Sequence, residues 1–159
     1  MNGDILTMDM RRESRIYLDV CCLNRPFDDQ NQDRVRLESE AVLTILGRIQ
    51  RKELVLINSE ALETEIDDNP DIERQGKVHD LLRVASCYVK IGDRESARAK
   101  ELGPHGFGGY DAVHVACAES AIADVLLTTD DGFVNAARRC GNMKVRVCNP
   151  LRWVAERDE

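Results

Sequence analysis

The chain has 159 residues, of which 43% are apolar and 32% charged, and its net charge is −7. That length suits one domain around one core. The acidic balance argues against binding nucleic acid through overall positive charge, so such contact needs a local basic patch or a metal ion.

Residues 1–14 read as a flexible N-terminal tail with no apolar stretch long enough for a signal peptide, and Met8 or Met10 are alternative translation starts. Residues 15–159 read as a single domain. Ile16–Val20 is an apolar run of strand formers, with Asp19 near its exit. Residues 23–32 read as a loop. Over 33–52, Val35, Ala41, Val42, Ile45, Leu46 and Ile49 recur at helical spacing, with Arg34, Glu38, Arg48 and Gln50 placed toward water.

Leu54–Ile57 is the second predicted strand. Asn58 and Ser59 are good helix caps, and the helix they open stops before Asn69-Pro70. A further helix covers about 72–85, Cys87–Ile91 is the third strand, and Asp93 caps a helix to about Leu102. The stretch 103–109 holds four of the ten glycines and must be a loop. It is not a phosphate-cradling loop, because no Gly-Lys-Ser/Thr follows. A helix opens at Tyr110 or Asp111 and runs to about Ala121. Val125–Thr128 is the fourth strand, a helix runs from Asp131 to about Cys140, Val145–Cys148 is the fifth strand, and a short helix holding Trp153 follows.

Strands alternate with helices, and the connections are too long for hairpins. The prediction is therefore an α/β fold, a Rossmann-like three-layer α/β/α arrangement with a central parallel sheet of about five strands. Cys21, Cys22, Cys87, Cys117, Cys140 and Cys148 form no Cys-x-x-Cys pair and lie at no zinc-ligand spacing with histidine. They read as free thiols in a reducing cytoplasm. No run of about 18 apolar residues occurs, so no membrane span is expected.

In open α/β sheets, ligands bind beyond the carboxyl ends of the strands. Asp19 ends the first strand, Asp130 follows the fourth, and Asp111 opens the helix that precedes the fourth. Glu65 lies seven residues, about two turns, past Asn58, on the same helix face. Each also has a bland reading: a strand-end turn for Asp19, a helix cap for Asp111 and Asp131, a solvated helix position for Glu65. Together, packed carboxylates repel one another, and a divalent cation with hard oxygen ligands, Mg²⁺ or Mn²⁺, relieves that conflict. Such a site orients a water and stabilises the leaving oxygen of a phosphodiester.

Four segments carry a family resemblance: Tyr17-Leu18-Asp19-Val20, Ser59-Glu60-Ala61-Leu62-Glu63-Thr64-Glu65, Tyr110-Asp111-Ala112-Val113-His114-Val115-Ala116-Cys117-Ala118, and Leu127-Thr128-Thr129-Asp130-Asp131-Gly132-Phe133. In order and spacing the chain resembles the PIN-domain ribonucleases, including the VapC-type toxins of toxin–antitoxin pairs. The resemblance implies a PIN-like fold and an endoribonuclease dependent on Mg²⁺ or Mn²⁺. It assigns catalysis and metal binding to Asp19, Glu65, Asp111 and Asp130, with Asp131 sharing or replacing the last. It gives Thr128 and Asn24 supporting roles, and Arg25 either a substrate phosphate or a carboxylate partner. It also implies an RNA substrate, a small antitoxin and a homodimer.

Other residues are read more plainly. His114 shares a face with Asp111 and has two readings, contact with the acidic site or, preferred, a packed or capping histidine, and Cys21 and Cys22 read as core. Arg34, Arg36, Arg48, Arg51 and Lys52 on the long helix, and Arg138, Arg139, Lys144 and Arg146 near the C-terminus, read as solvated faces. The alternative to an enzyme is a non-catalytic PIN-like module that binds RNA or protein, with the acids serving as caps. A phospho-accepting receiver-like domain fits poorly, because Asn149-Pro150 rather than a lysine follows the fifth strand.

Overall fold

The computed structural model describes residues 14–157. The expected tail, apart from Ser14, and the candidate starts at Met8 and Met10 lie outside the described residues. Strand β1 is Ser14–Leu18, shifted two residues toward the N-terminus from the expected 16–20. The shift has a local cause. The Asp19 side chain accepts from the Val20 N–H and caps a short helix, α1 (Val20–Asn24), where a loop was expected from Leu23. Val20, Cys22 and Leu23 are buried on it, so the segment is packed.

The long helix α2 spans Asp33–Gln50. Its apolar face is the expected one, but Glu38, expected to face water, is fully buried. Strand β2 is Leu54–Ser59. Helix α3 (Glu60–Asp67) starts at Ser59, whose hydroxyl accepts from the Leu62 N–H. Helix α4 (Ile72–Leu81) ends earlier than expected, in a 3-10 turn over Leu82–Val84. Strand β3 is Cys87–Val89 and helix α5 is Asp93–Leu102. The cap of α5 is Gly92 rather than Asp93, with Glu95 reaching back to the Gly92 N–H.

Helix α6 (Asp111–Ser120) runs antiparallel to α5. Glu95, near the start of α5, accepts from Ser120 at the end of α6, and Arg98 binds Glu119 at 2.7 Å. The glycine-rich stretch is the reversal between them, and Gly106 turns it with a left-handed φ of 92°. Strand β4 (Val125–Leu127), helix α7 (Asp131–Arg139), strand β5 (Arg146–Cys148) and helix α8 (Pro150–Arg157) complete the described chain.

The five strands are parallel and lie in the order β3-β2-β1-β4-β5. With the helices they make the three-layer α/β/α architecture expected from the sequence. From β1 the chain builds outward to β2 and β3, then returns to place β4 on the other side of β1. The order therefore reverses between β1 and β4, which is where open α/β sheets leave a crevice. Ile16, Tyr17, Leu18, Leu56, Ile57, Leu126 and Leu127 are fully buried in the sheet. No described helix is long and apolar enough to cross a membrane.

Candidate metal centre

Asp19 and Thr128 follow the two strands that flank the reversal. The Asp19 N–H donates to the Leu127 carbonyl at 2.9 Å, which extends the β1–β4 ladder by one bond. The buried Asp19 carboxylate is held on both oxygens. Oδ1 accepts from the Val20 N–H and Oδ2 from the Thr128 hydroxyl, each at 2.8 Å. Thr128 is fully buried, and its Oγ1 also accepts from the Asp130 N–H at 3.2 Å. Cys21 is half-buried rather than core. Its thiol lies 3.3 Å from Asp19 Oδ2 and accepts from the Thr129 N–H.

Glu65 projects from α3 toward this point. Among the described residues, Asp19, Glu65 and His114 form a group with one ligand atom each, all within 4.8 Å of one another. His114 is fully buried. Its Nε2 lies 2.7 Å from Glu65 Oε1 and 3.7 Å from Asp19 Oδ1, and its Nδ1 lies 2.7 Å from the Tyr17 hydroxyl. His114 is therefore packed, as one reading had it, and also touches the acidic site, as the other had it. Its position one turn after Asp111, on the same helix face, was the available signal.

Asp111 stands at the first position of α6, and His114 is the basic group among the charges that act on it. Its carboxyl is pushed up to about 7, first by burial and then by the charges of Asp19, Asp130 and Glu65, while His114 pulls the other way. Asp130 is exposed and caps α7, Oδ1 accepting from the Gly132 and Phe133 N–H groups. A Cβ on Gly132 would lie 3.1 Å from that oxygen, so the cap favours glycine there.

Asp131 is turned elsewhere. Arg34 binds it with two nitrogens, at 2.8 and 2.9 Å, and holds its carboxyl below the usual range. Arg34 is exposed as expected, but it also donates to Glu38 and to the Thr129 carbonyl. Arg25 takes the carboxylate role of its two expected alternatives, bonding Glu38 and Asp28 at 2.9 Å each. Asn24 is tied to the Val20 carbonyl and to Arg74, and with Glu65, Val20, Asn69 and Gln75 it lines a cleft of about 320 Å³.

The Asp19 and Glu65 carboxylate oxygens, within 4.8 Å of each other beside His114, are donors suited to a hard divalent ion. Mg²⁺ and Mn²⁺ take such oxygens, and a bound ion would remove the repulsion felt by Asp111. The residues present fit such an ion.

No protein-family model and no curated protein matches this chain. Among solved structures, the fold is similar to a chain in the crystal structure of VapBC2 from Rickettsia felis bound to a DNA fragment from their promoter. The TM-score is 0.56, with 13% identity over 85% of this chain and 98% of that one. The likeness is one of fold: the chain has the PIN-type three-layer α/β/α fold.

Proposed function

We propose that this chain is a divalent-metal-dependent endoribonuclease, the toxin of a toxin–antitoxin pair. The observation that carries the proposal is the meeting of Asp19 and Glu65 with His114 at the β1–β4 reversal of a PIN-type fold, together with the raised pKa of Asp111, which feels the charges of Asp19, Asp130 and Glu65. These four acids would hold Mg²⁺ or Mn²⁺, and Asp131 stays with Arg34. When bound, the ion lowers the pKa of a water and stabilises charge on the leaving oxygen of an RNA phosphodiester.

The chain's own residues prepare that site. Thr128 and the Val20 N–H fix the Asp19 carboxylate before any ligand arrives, so little reorganisation is left for binding. The Asp130 cap holds its carboxylate at the rim. Asn24 and Glu65 share the cleft beside the acids, which gives an RNA strand a polar wall. Arg25 supports the fold through Glu38 rather than touching substrate.

A small antitoxin is the proposed partner. The likeness to a complex bound to promoter DNA favours a partner that also contacts DNA. A homodimer in the cytoplasm belongs to the same proposal, and analytical ultracentrifugation tests the dimer. The central test is RNA cleavage by the purified chain with Mn²⁺, with EDTA, and with Asp19→Asn. Cleavage that needs Mn²⁺ and is lost in Asp19→Asn is expected. No cleavage by the wild type, or equal cleavage by both proteins, would remove the proposal.

A further inference from the structure

We infer that His114 is a positioning residue for the acidic centre, and that Tyr17 and Ser59 hold its ring in place to fix Glu65; this deepens the metal-centre reading and rests on it. The four side chains form one continuous buried line. Ser59 Oγ lies 2.7 Å from the Tyr17 hydroxyl, the hydroxyl 2.7 Å from His114 Nδ1, and His114 Nε2 2.7 Å from Glu65 Oε1. Ser59, Tyr17 and His114 are each fully buried.

The polarity of the line follows from what each group can do. A carboxylate only accepts, so Nε2–H donates to Glu65. In the neutral ring Nδ1 then accepts, so the Tyr17 O–H donates to it and the Ser59 O–H donates to Tyr17. Ser59 keeps a lone pair for the Leu62 N–H, which donates to it at 3.0 Å. That bond caps α3, the helix that carries Glu65. One hydroxyl therefore fixes where α3 begins and, through Tyr17 and His114, fixes the side chain two turns further on.

Both ring nitrogens are occupied, so His114 orients an acid rather than offering a lone pair to a cation. Packing alone does not account for the line. Phenylalanine would fill the Tyr17 position without burying a hydroxyl, and a buried polar chain costs free energy unless every member is satisfied. Here all are satisfied, and the line ends on a side chain that is 28% exposed at the acidic centre. Glu65 has three rotatable bonds, and anchoring it in advance lowers the entropy lost when it takes up a cation. Tyr17 also lies two residues before Asp19, at the end of β1, so one short segment sets both acids relative to each other.

The test uses the full chain and two readouts: Mn²⁺ affinity by calorimetry in the absence of RNA, and RNA cleavage across a Mn²⁺ titration. Tyr17→Phe and His114→Ala are each expected to weaken Mn²⁺ binding about 10- to 100-fold. Excess Mn²⁺ restores most of the cleavage, which loss of folded protein would not allow. The double variant is expected to bind no worse than His114→Ala, because Tyr17 acts through the ring. His114→Gln, which keeps an N–H for Glu65, recovers part of the loss. Should His114→Ala fail to fold, Tyr17→Phe and His114→Gln decide. Folded variants that bind Mn²⁺ like the wild type, or single losses that simply add, overturn the positioning role alone. A wild type that binds no Mn²⁺ overturns the metal-centre reading and this role with it.

Discussion

Glu38 and Asp111 are both acids inside one small domain, and their surroundings are opposite. Glu38 is fully buried and takes three donors: Arg25 Nε at 2.9 Å, Arg34 Nε at 3.1 Å and Asn149 Nδ2 at 2.6 Å. Asp111 is half-buried and meets the like charges of Asp19, Asp130 and Glu65. The first acid ties the turn after α1 to α2 and to the start of α8. The second gains nothing for stability as a carboxylate. A buried acid with matched cations is structural, whereas the acids around Asp111, in the proposed reading, take their cation from solution.

Substitutions at the two acids can break this contrast, and the largest effect is expected at the unmatched group. Asp19→Asn keeps the side chain's shape but replaces one oxygen by NH₂ and removes the charge, which weakens the ion's hold, worth several kcal/mol in the transition state. Mn²⁺-dependent cleavage should fall about a thousandfold or more, measured as initial rates at saturating RNA. An Asp19→Asn protein within a few-fold of wild type would put the ion elsewhere.

Glu38→Gln should act in the other direction. It leaves Arg25 with Asp28 alone and Arg34 with Asp131 alone for a charge partner, at a cost of about 1–3 kcal/mol, toward the lower end because Arg34 is about half exposed. Denaturant unfolding should show the loss, while calorimetry shows Mn²⁺ affinity close to wild type. A Glu38→Gln chain that is as stable as wild type but binds Mn²⁺ poorly would reverse the assignment of the two regions.

The pH dependence sharpens the contrast further. The folded-state pKa of Asp111 lies above its ordinary value, at about 7. Its contribution to stability is therefore fully present below the unfolded pKa and is lost as pH rises through about 7. Thermal unfolding of the metal-free chain should show melting temperature falling from pH 5 to pH 8. Added Mn²⁺ should remove the fall, and Asp111→Asn should flatten it without metal. A melting temperature that rises over this range in the metal-free wild type contradicts the repulsion.

The smallest effect is expected at Asp131. Its pair with Arg34 is exposed, so Asp131→Asn should leave the denaturant midpoint within error of wild type and Mn²⁺ affinity unchanged. A clear loss of Mn²⁺ affinity in Asp131→Asn would move Asp131 into the centre.

The alternation of buried strands with amphipathic helices was readable from apolar spacing, and so was the α/β class. The boundaries around Asp19 were not, because one side-chain cap converts the expected end of a strand into a helix start. Strand order is also invisible to local pattern. That Asp19 and Asp130 follow neighbouring strands depends on β4 pairing with β1, a contact between residues more than a hundred positions apart. Helical spacing placed Asp111 and His114 on one face but could not say what that face meets. It likewise set Glu38 toward water, since Arg34 one turn before it is a local partner but Arg25 and Asn149, which complete its burial, lie outside the helix. Tyr17 looked like ordinary strand core, because its hydroxyl's partners lie on β2 and α6.

An anomalous difference map from crystals of the full chain soaked in Mn²⁺ tests the matter most directly. The expected result is a peak within about 2.0–2.2 Å of carboxylate oxygens of Asp19 and Asp111, with Glu65 or Asp130 completing the oxygen ligands. Ordered side chains at the β1–β4 reversal with no peak between them, or a peak bound by other residues, would contradict it.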